Sequence, residues 1–251
     1  MEELPTVSQI MTSDLVYFDP VIESKCEKFC EERNISYLPT LDRQRVQKYE
    51  DGEFKSREAR LVRNQSVEPD KYIFSRDLFK LFKYHEVVFI AKDSNIVGVI
   101  HFSDYNSKKV YSYLYKQIYE LETKLRKLIV KNGVHEKYDW DNHELDTEER
   151  KRDYLEETRL YELLDAAEEY EEDIQLGITY EKGVGEAVNK LRRQVMHGKQ
   201  FIENKNRNEE PLHFTQKSFE TFFKRVEKMD RLHRQVSGRL NMEKLQQNNP
   251  S

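Results

Sequence analysis

The sequence predicts an α/β N-terminal region followed by an all-α bundle of four helices. Over roughly the first hundred residues, short apolar runs bounded by turn residues alternate with helical patterns. From Asn106 onward the strand pattern stops, and apolar residues recur at spacings of three and four. We therefore predict two domains, residues 1–105 and 106–245, followed by a disordered tail at 246–251.

The composition is that of a polar chain that can still form a core. Of the 251 residues 35% are charged and the net charge is −5, while 13 Phe and 15 Tyr supply bulky side chains for packing. No run of about 18 apolar residues occurs, and the N-terminus has no basic segment followed by an apolar one. We therefore expect a cytoplasmic protein with no membrane partner.

In the N-terminal region one order of elements occurs twice. The predicted elements of the first half are a strand at 16–18, a helix at 21–33, a strand at 36–41 and a charged, Gly-bearing segment at 43–56. Those of the second half are a strand at 71–74, a helix at 76–84 and strands at 86–91 and 96–102 joined by a turn. The two halves therefore look like one unit used twice.

The C-terminal region is predicted to be helical. The predicted helices are residues 107–131, residues 147–170, a third that begins near Gly183 and Gly185, and residues 215–245. The first would connect the two domains directly, and the last has an apolar face that begins at Phe219. Four amphipathic helices of such lengths fit a bundle.

The two halves of the N-terminal region also carry a family resemblance. In the first half, residues 7–12 match an opening strand and Tyr37–Pro39 contains a Leu-Pro pair. The second half ends in Gly98, two apolar residues, His101, Phe, Ser103 and Asp104. These features resemble the paired CBS (Bateman) module, whose pattern here is Gly, apolar, apolar, Thr or Ser, x, x, Asp. The resemblance implies that an adenine nucleotide similar to AMP or ATP binds as a regulatory ligand. The implied ligand residues are Gly98, His101, Ser103 and Asp104.

Two interpretations of this ending stay open. Gly permits close approach of a backbone to a ligand, and an Asp at the start of a helix can accept both hydroxyls of a ribose. Ser103 and Asp104 before a helical segment are equally typical of a helix N-cap. His101 stands where the family usually has Thr or Ser, which alters the expected contact with a phosphate.

The third predicted helix of the C-terminal region carries Arg192 and His197, five positions apart. Arg presents a permanent fork of donors that fits a phosphate, and His exchanges protons near neutral pH. On a straight helix the two side chains point about 140° apart. One helix therefore directs both onto one phosphate only if the Arg side chain reaches around or a second subunit contributes. The alternative is a surface Arg and a packed or solvated His.

This segment resembles the signature of the all-helical HEPN family. In that signature Leu, Arg and Asn are followed by any residue, then Val or Ile, then any residue, and then His. Here it runs from Leu191 to His197, with Arg193 in place of the usual Asn. The first helix carries Glu122 and Arg126, which resemble the Glu-x-x-x-Arg pattern of abortive-infection-type HEPN domains. The resemblance implies a symmetric homodimer that cuts RNA without a metal. The catalytic residues it implies are Arg192, His197, Glu122 and Arg126, although Glu122 and Arg126 also suit an ordinary i, i+4 ion pair.

Charge and cysteine placement bear on partners and cofactors. Residues 106–185 hold 13 Lys and Arg against 20 Asp and Glu, whereas residues 186–245 hold 14 against 8. The basic half contains the Arg192 motif and would attract RNA, or it would complement the acidic second helix inside the bundle. Cys26 and Cys30 lie one turn apart with no second Cys or His pair at zinc spacing, so we predict buried free thiols and no metal.

Three functions are consistent with these patterns. The first is a nucleotide-regulated, metal-independent endoribonuclease that acts in stress response or phage defence, with the N-terminal pair as its control element. The second is a non-catalytic CBS-HEPN sensor that dimerises and binds RNA or a protein partner, which Arg193 favours. The third is a toxin silenced by an antitoxin chain.

Overall fold

The computed structural model describes residues 4–33, 35–57, 64–140, 155, 158–174, 183–196 and 215–248. It is a mixed α/β structure that divides into two compact units. The first unit comprises the chain up to Val110 together with the start of the last helix, through Glu220. The second begins at Tyr111 and includes the last helix from Thr221 onward.

The described elements are named here in chain order. The helices are α1 (Glu23–Arg33), α2 (Arg76–Phe82), α3 (Lys108–Lys131), α4 (Val134–Lys137), α5 (Leu160–Glu169), α6 (Glu171–Ile174), α7 (Val184–Met196) and α8 (Gln216–Asn248). The strands are β1 (Tyr37–Pro39), β2 (Val46–Glu50), β3 (Glu53–Arg57), β4 (Ser66–Val67), β5 (Val87–Lys92) and β6 (Asn95–His101). Short 3₁₀ helices occur at Val7–Gln9, Pro20–Ile22 and Phe102–Tyr105.

Each of the two sheets in the first unit combines a short parallel contact with antiparallel strands. Phe18 forms a parallel bridge with Thr40, just after β1, and β1, β2 and β3 pair in antiparallel order. In the second sheet β4 is parallel to β5, and β5 is antiparallel to β6. In the chain α1 separates Phe18 from β1, and α2 separates β4 from β5. The order of strand contact, helix, strand, strand therefore occurs twice. The sequence predicts a repeated unit, but it places only one strand after the first helix and begins the second half with a strand at 71–74.

Several local predictions in the first unit are wrong. The charged segment at 43–56 is the hairpin of β2 and β3, because Val46 is buried and Tyr49 and Phe54 pack on the cluster around Cys26 and Cys30. Its outward positions are charged, which hid the alternation. The hairpin turns at Asp51 and Gly52, both with positive φ.

Three predicted strands of the first unit are turns or single bridges. Residues 7–9 form a 3₁₀ turn closed by Thr6 and Gln9, and only Thr12 pairs, with Val99. Of residues 16–18 only Phe18 bridges. Residues 71–74 close into a turn, because the backbone N–H of Ser75 donates to Tyr72 O before α2 begins.

The start of α8 belongs to the core of the first unit. Phe219 is fully buried, and its ring lies 5.2 Å from that of Phe82 and 4.9 Å from that of Tyr105. The side-chain Nε2 of Gln216 donates to the backbone oxygen of Phe82 at 2.6 Å. The sequence analysis gave Phe219 to the helical bundle, because helical periodicity alone does not show which core a helix face joins.

The second unit is built from helices with apolar faces at spacings of three and four. Helix α5 packs against α7. The fully buried residues of the four long helices include Leu114, Ile118, Leu121, Leu125 and Leu128 on α3, Leu160 and Leu163 on α5, Val188 and Leu191 on α7, and Phe222, Phe223 and Met229 on α8. Truncation of one such Leu to Ala costs about 2–5 kcal/mol.

Two helix predictions differ from the structure in their bounds. Helix α8 continues to Asn248, so residues 246–248 are helical where the sequence predicts a disordered tail. After Gly238, which lies within the helix, the chain has no Gly or Pro to stop the helix before Pro250. Part of the predicted helix at 147–170 lies outside the described residues. None of the described helices has an apolar stretch long enough to cross a lipid bilayer.

Candidate functional site

Arg192 lies on α7 beside a buried carboxylate. The apolar side chains of Val188, Leu191 and Val195 hold this helix in the core, which places Arg192 at the edge of the buried face. Its side chain is 24% exposed, and its Nε donates to Oε1 of Glu122 at 2.9 Å. The guanidinium also carries two terminal nitrogens, and these form a fork of donors of the kind that fits a phosphate.

Glu122 and Arg126 lie one turn apart on α3. The Glu122 residue is 8% exposed, and its Oε2 lies 3.9 Å from a terminal nitrogen of Arg126. The Arg126 guanidinium is tied more tightly elsewhere, because it donates to the backbone oxygens of Leu155 at 3.0 Å and Thr158 at 2.8 Å. One buried carboxylate therefore joins the two motifs, which lie 70 residues apart in the sequence.

The remaining residues of the Arg192 motif differ in their surroundings. Gln194 accepts a hydrogen bond from Arg225 on α8 at 2.7 Å, whereas Arg193 is exposed. Arg193 is the position at which the motif departs from Asn. His197 lies outside the described residues, so its distance from Arg192 is not defined.

Comparisons with protein-family models, with curated proteins and with solved structures find no match for this chain.

The first unit contains a cleft of about 440 Å³. Residues from both sheets line it, together with Arg33 of α1 and the chain at residues 12–16. Two of the four predicted ligand residues, His101 and Ser103, lie in its wall, and Glu86 is nearby. The cleft therefore offers one guanidinium, two carboxylates (Asp14 and Glu86), an imidazole and several hydroxyl groups beside apolar walls, which suits a small polar ligand.

The hydrogen bonds of His101 fix its tautomer. The backbone N–H of Ser103 donates to Nδ1 at 3.2 Å, and Oγ of Ser103 lies 2.6 Å from the same atom. Since an amide N–H only donates, Nδ1 is unprotonated and the neutral ring carries its proton on Nε2. Burial lowers the pKa of His101 below its ordinary value, and the Glu86 carboxylate acts in the opposite direction. The ring is therefore a neutral donor from Nε2.

Gly98 and Asp104 have partners within the protein. A Cβ at Gly98 would lie 2.7 Å from Sδ of Met11 and 3.1 Å from the backbone oxygen of Thr12, so the close approach is made by the chain itself. Oδ2 of Asp104 accepts from the backbone N–H of His101 at 2.7 Å, which is the helix-capping alternative. Burial raises the pKa of Asp104, and this hydrogen bond partly offsets the shift.

A polar cluster that the sequence analysis missed joins α3 to α8. The Nζ of Lys124 donates to Nε2 of His233 at 3.1 Å and to Oγ of Ser237 at 3.0 Å. A carboxylate oxygen of Glu120 lies 3.8 Å from the same His nitrogen. The sequence contains only a weak signal for this cluster. Glu120 and Lys124 are spaced at i, i+4, and so are His233 and Ser237. Such spacing does not show that the two helices face each other.

The described part of the chain holds no group of three or more His, Cys, Asp or Glu side chains that could bind a metal ion. Cys26 and Cys30 are buried free thiols, as predicted. Burial, with Cys26 and Glu31 nearby, raises the pKa of the Cys30 thiol to about 11. The Cys30 thiol is therefore protonated at neutral pH and a poor nucleophile.

Proposed function

We propose that this protein is a nucleotide-regulated, metal-independent endoribonuclease of the HEPN type that acts as a homodimer. The observation that carries the proposal is the hydrogen bond between Arg192 and Glu122. It joins the two segments that resemble the family, which lie 70 residues apart in the sequence. A chance resemblance in two surface helices gives no reason for such a contact.

In the proposed mechanism Arg192 stabilises the charge that develops on the phosphate, while Glu122 orients the guanidinium through Nε. The ribose 2′-oxygen attacks the adjacent phosphorus, the bond to the 5′-oxygen breaks, and the products are a 2′,3′-cyclic phosphate and a 5′-hydroxyl. A histidine takes the proton from the 2′-hydroxyl, and a histidine returns one to the leaving oxygen. His197 is the proposed acid and base.

The dimer follows from helix geometry. A straight helix separates the directions of Arg192 and His197 by about 140°, so one copy of the motif does not surround a phosphate. Two copies related by a two-fold axis supply two Arg and two His side chains to one cleft. We propose that RNA is cut in this shared cleft.

We further propose that an adenine nucleotide controls the enzyme from a first unit that acts as a CBS pair. The cleft beside His101 and Ser103 is the proposed nucleotide site. Helix α3 begins in the first unit and carries Glu122 and Arg126 in the second. A ligand that prefers one state of the first unit can therefore shift the state of the RNA site through this continuous helix.

The first test is cleavage of total and transfer RNA in EDTA by the purified full-length protein. We expect cleavage that leaves cyclic phosphate ends and that falls by at least about 10²-fold in Arg192→Ala and His197→Ala. Lys190→Ala is the matched control, because Lys190 lies on α7 in an exposed pair with Glu186. Cleavage that needs a divalent metal, or that survives both substitutions, would rule the mechanism out.

A second candidate function is a silent sensor that binds RNA or a protein partner. The exposed Arg193 at the usual Asn position favours it. A folded dimer that binds RNA but leaves it intact would support this function. If cleavage appears only after a co-purified partner chain is removed, the toxin and antitoxin arrangement is supported instead.

A further inference from the structure

A second cleft, of about 560 Å³, lies along α3 in the second unit. Its described lining residues are Tyr119, Thr123, Arg126, Lys127, Val130, Lys131 and Leu155. Three of these carry positive charge, and within the described part of the chain none is a carboxylate. Segment 106–185 as a whole is acidic, so the sequence average conceals this basic surface. The cleft favours an anionic ligand.

The cleft follows a stripe of residues at i, i+4 along α3. The lining includes Tyr119, Thr123, Lys127 and Lys131 at successive i, i+4 positions, and Tyr115 lies one turn before Tyr119. The residues Tyr115 and Tyr119 are 48% and 60% exposed. Two exposed phenol rings therefore lie on consecutive turns, beside cations that follow on the next turns.

We propose that this cleft binds single-stranded RNA. Bases stack on the rings of Tyr119 and Tyr115, and Lys127 contacts the backbone phosphates, as in other proteins that combine aromatic platforms with basic grooves. An acidic protein segment would use the cations but leaves the exposed rings without a stacking partner. A duplex keeps its base faces stacked on one another, which favours a single strand.

This inference rests on the proposed function, because it identifies the part of the enzyme that holds RNA beside the Arg192 motif. Arg126 connects the two sites. It lines the cleft, and it lies 3.9 Å from Glu122, which in turn accepts from Arg192. A strand in the cleft therefore passes next to the arginine proposed to stabilise the cleaved phosphate.

The test is the fluorescence anisotropy of a labelled single-stranded RNA of about 12 nucleotides, titrated with full-length His197→Ala protein. The cleft and control variants are made in this background, so that the RNA stays intact, and cleavage is measured separately with His197 retained. We expect Tyr119→Ala and Lys127→Ala each to raise the Kd roughly tenfold. The slope of log Kd against log salt should fall by about 0.7 for Lys127→Ala and stay constant for Tyr119→Ala. The matched controls are Tyr84→Ala, an exposed Tyr of the first unit, and Lys190→Ala.

Three results would overturn the proposal. The first is a Kd of either cleft variant that equals the Kd of the control variants. The second is equal affinity for a duplex and for the single strand, and the third is displacement of the RNA by poly-glutamate of similar length as readily as by unlabelled RNA. Circular dichroism melts show whether each variant is folded. RNA binding that depends on these residues, without any cleavage, would contradict the proposed nuclease activity and support the RNA-binding cleft. Cleavage with unchanged binding in both cleft variants would keep the nuclease and refute the site.

Discussion

At the scale of single residues, Glu122 is the side chain whose loss should matter most. It is nearly buried, and its carboxylate faces both Arg192 and Arg126. We expect Glu122→Ala to lower the free energy of unfolding by about 1–3 kcal/mol, because a guanidinium at the edge of the core loses its partner. Glu122→Gln keeps an acceptor for Nε of Arg192 and should cost less.

Urea denaturation of the two variants measures this difference. Glu186→Ala is the control, because Glu186 pairs with Lys190 on the exposed face of α7 and its loss should leave stability essentially unchanged. Equal stability of Glu122→Ala and the control would show that the Glu122 contact to Arg192 contributes little to folding.

His135 is a second residue with a clear expected effect. Its side chain is 2% exposed, and within the described part of the chain neither ring nitrogen has a hydrogen-bond partner. A carboxylate oxygen of Glu136 lies 3.6 Å from Nε2. We expect His135→Phe to raise the free energy of unfolding by about 1–3 kcal/mol, since an apolar ring of similar size removes two unsatisfied polar atoms. A lower melting temperature would show that the imidazole contributes to stability after all.

At the scale of elements, the contact of His233 with α3 should make stability depend on pH. Lys124 and Glu120 of α3 and Ser237 of α8 surround the ring. Burial and Lys124 lower the pKa of His233, and Glu120 opposes them. The pKa of this His is therefore higher in the unfolded chain, near 6.5, than in the folded chain. The contribution of the neutral ring to the free energy of unfolding is fully present above pH 6.5. It is lost as the pH falls from 6.5 toward the pKa of the folded state.

Urea unfolding between about pH 8 and 5 tests this element-scale prediction. His233→Gln removes the titrating group and keeps an acceptor for Lys124. We expect its loss of stability in acid to be smaller than that of the wild type. Parallel pH profiles would mean that His233 does not couple α3 and α8 to pH.

The elements also show what the sequence could and could not predict. Helix α3 was predicted to within one residue at its start and the beginning of α7 to within about one residue, because their apolar spacing is regular. The hairpin of β2 and β3 was missed, because Tyr49 and Phe54 on one face are only partly buried and Val46 shares the other face with charged residues. The resemblance named Arg192 and Glu122 as site residues, but their pairing was not predicted. The basic cleft was missed because periodicity does not identify which exposed residues share a groove.

At the scale of the whole molecule, the order of elements in the first unit explains why one cleft receives residues from both sheets. The parallel contact and the antiparallel strands occur twice, and β1, β5 and β6 all contribute to the cleft. Helices α3 and α8 each begin in the first unit and continue in the second. A ligand of this cleft, as proposed above, would stabilise the folded first unit by mass action.

The last prediction concerns that ligand. We expect AMP or ATP to raise the melting temperature of the full-length protein, because a ligand at 100 times its Kd stabilises the folded state by about 2.7 kcal/mol. Ser103→Ala should lose most of this shift while melting normally without nucleotide, since Ser103 lines the cleft and its backbone N–H still donates to Nδ1 of His101. Ser24→Ala, an exposed serine of α1, is the control. Scanning fluorimetry at equal nucleotide concentrations measures the shifts. A nucleotide shift that Ser103→Ala retains in full would place the ligand outside this cleft, and the absence of any shift would remove adenine nucleotides as the regulators.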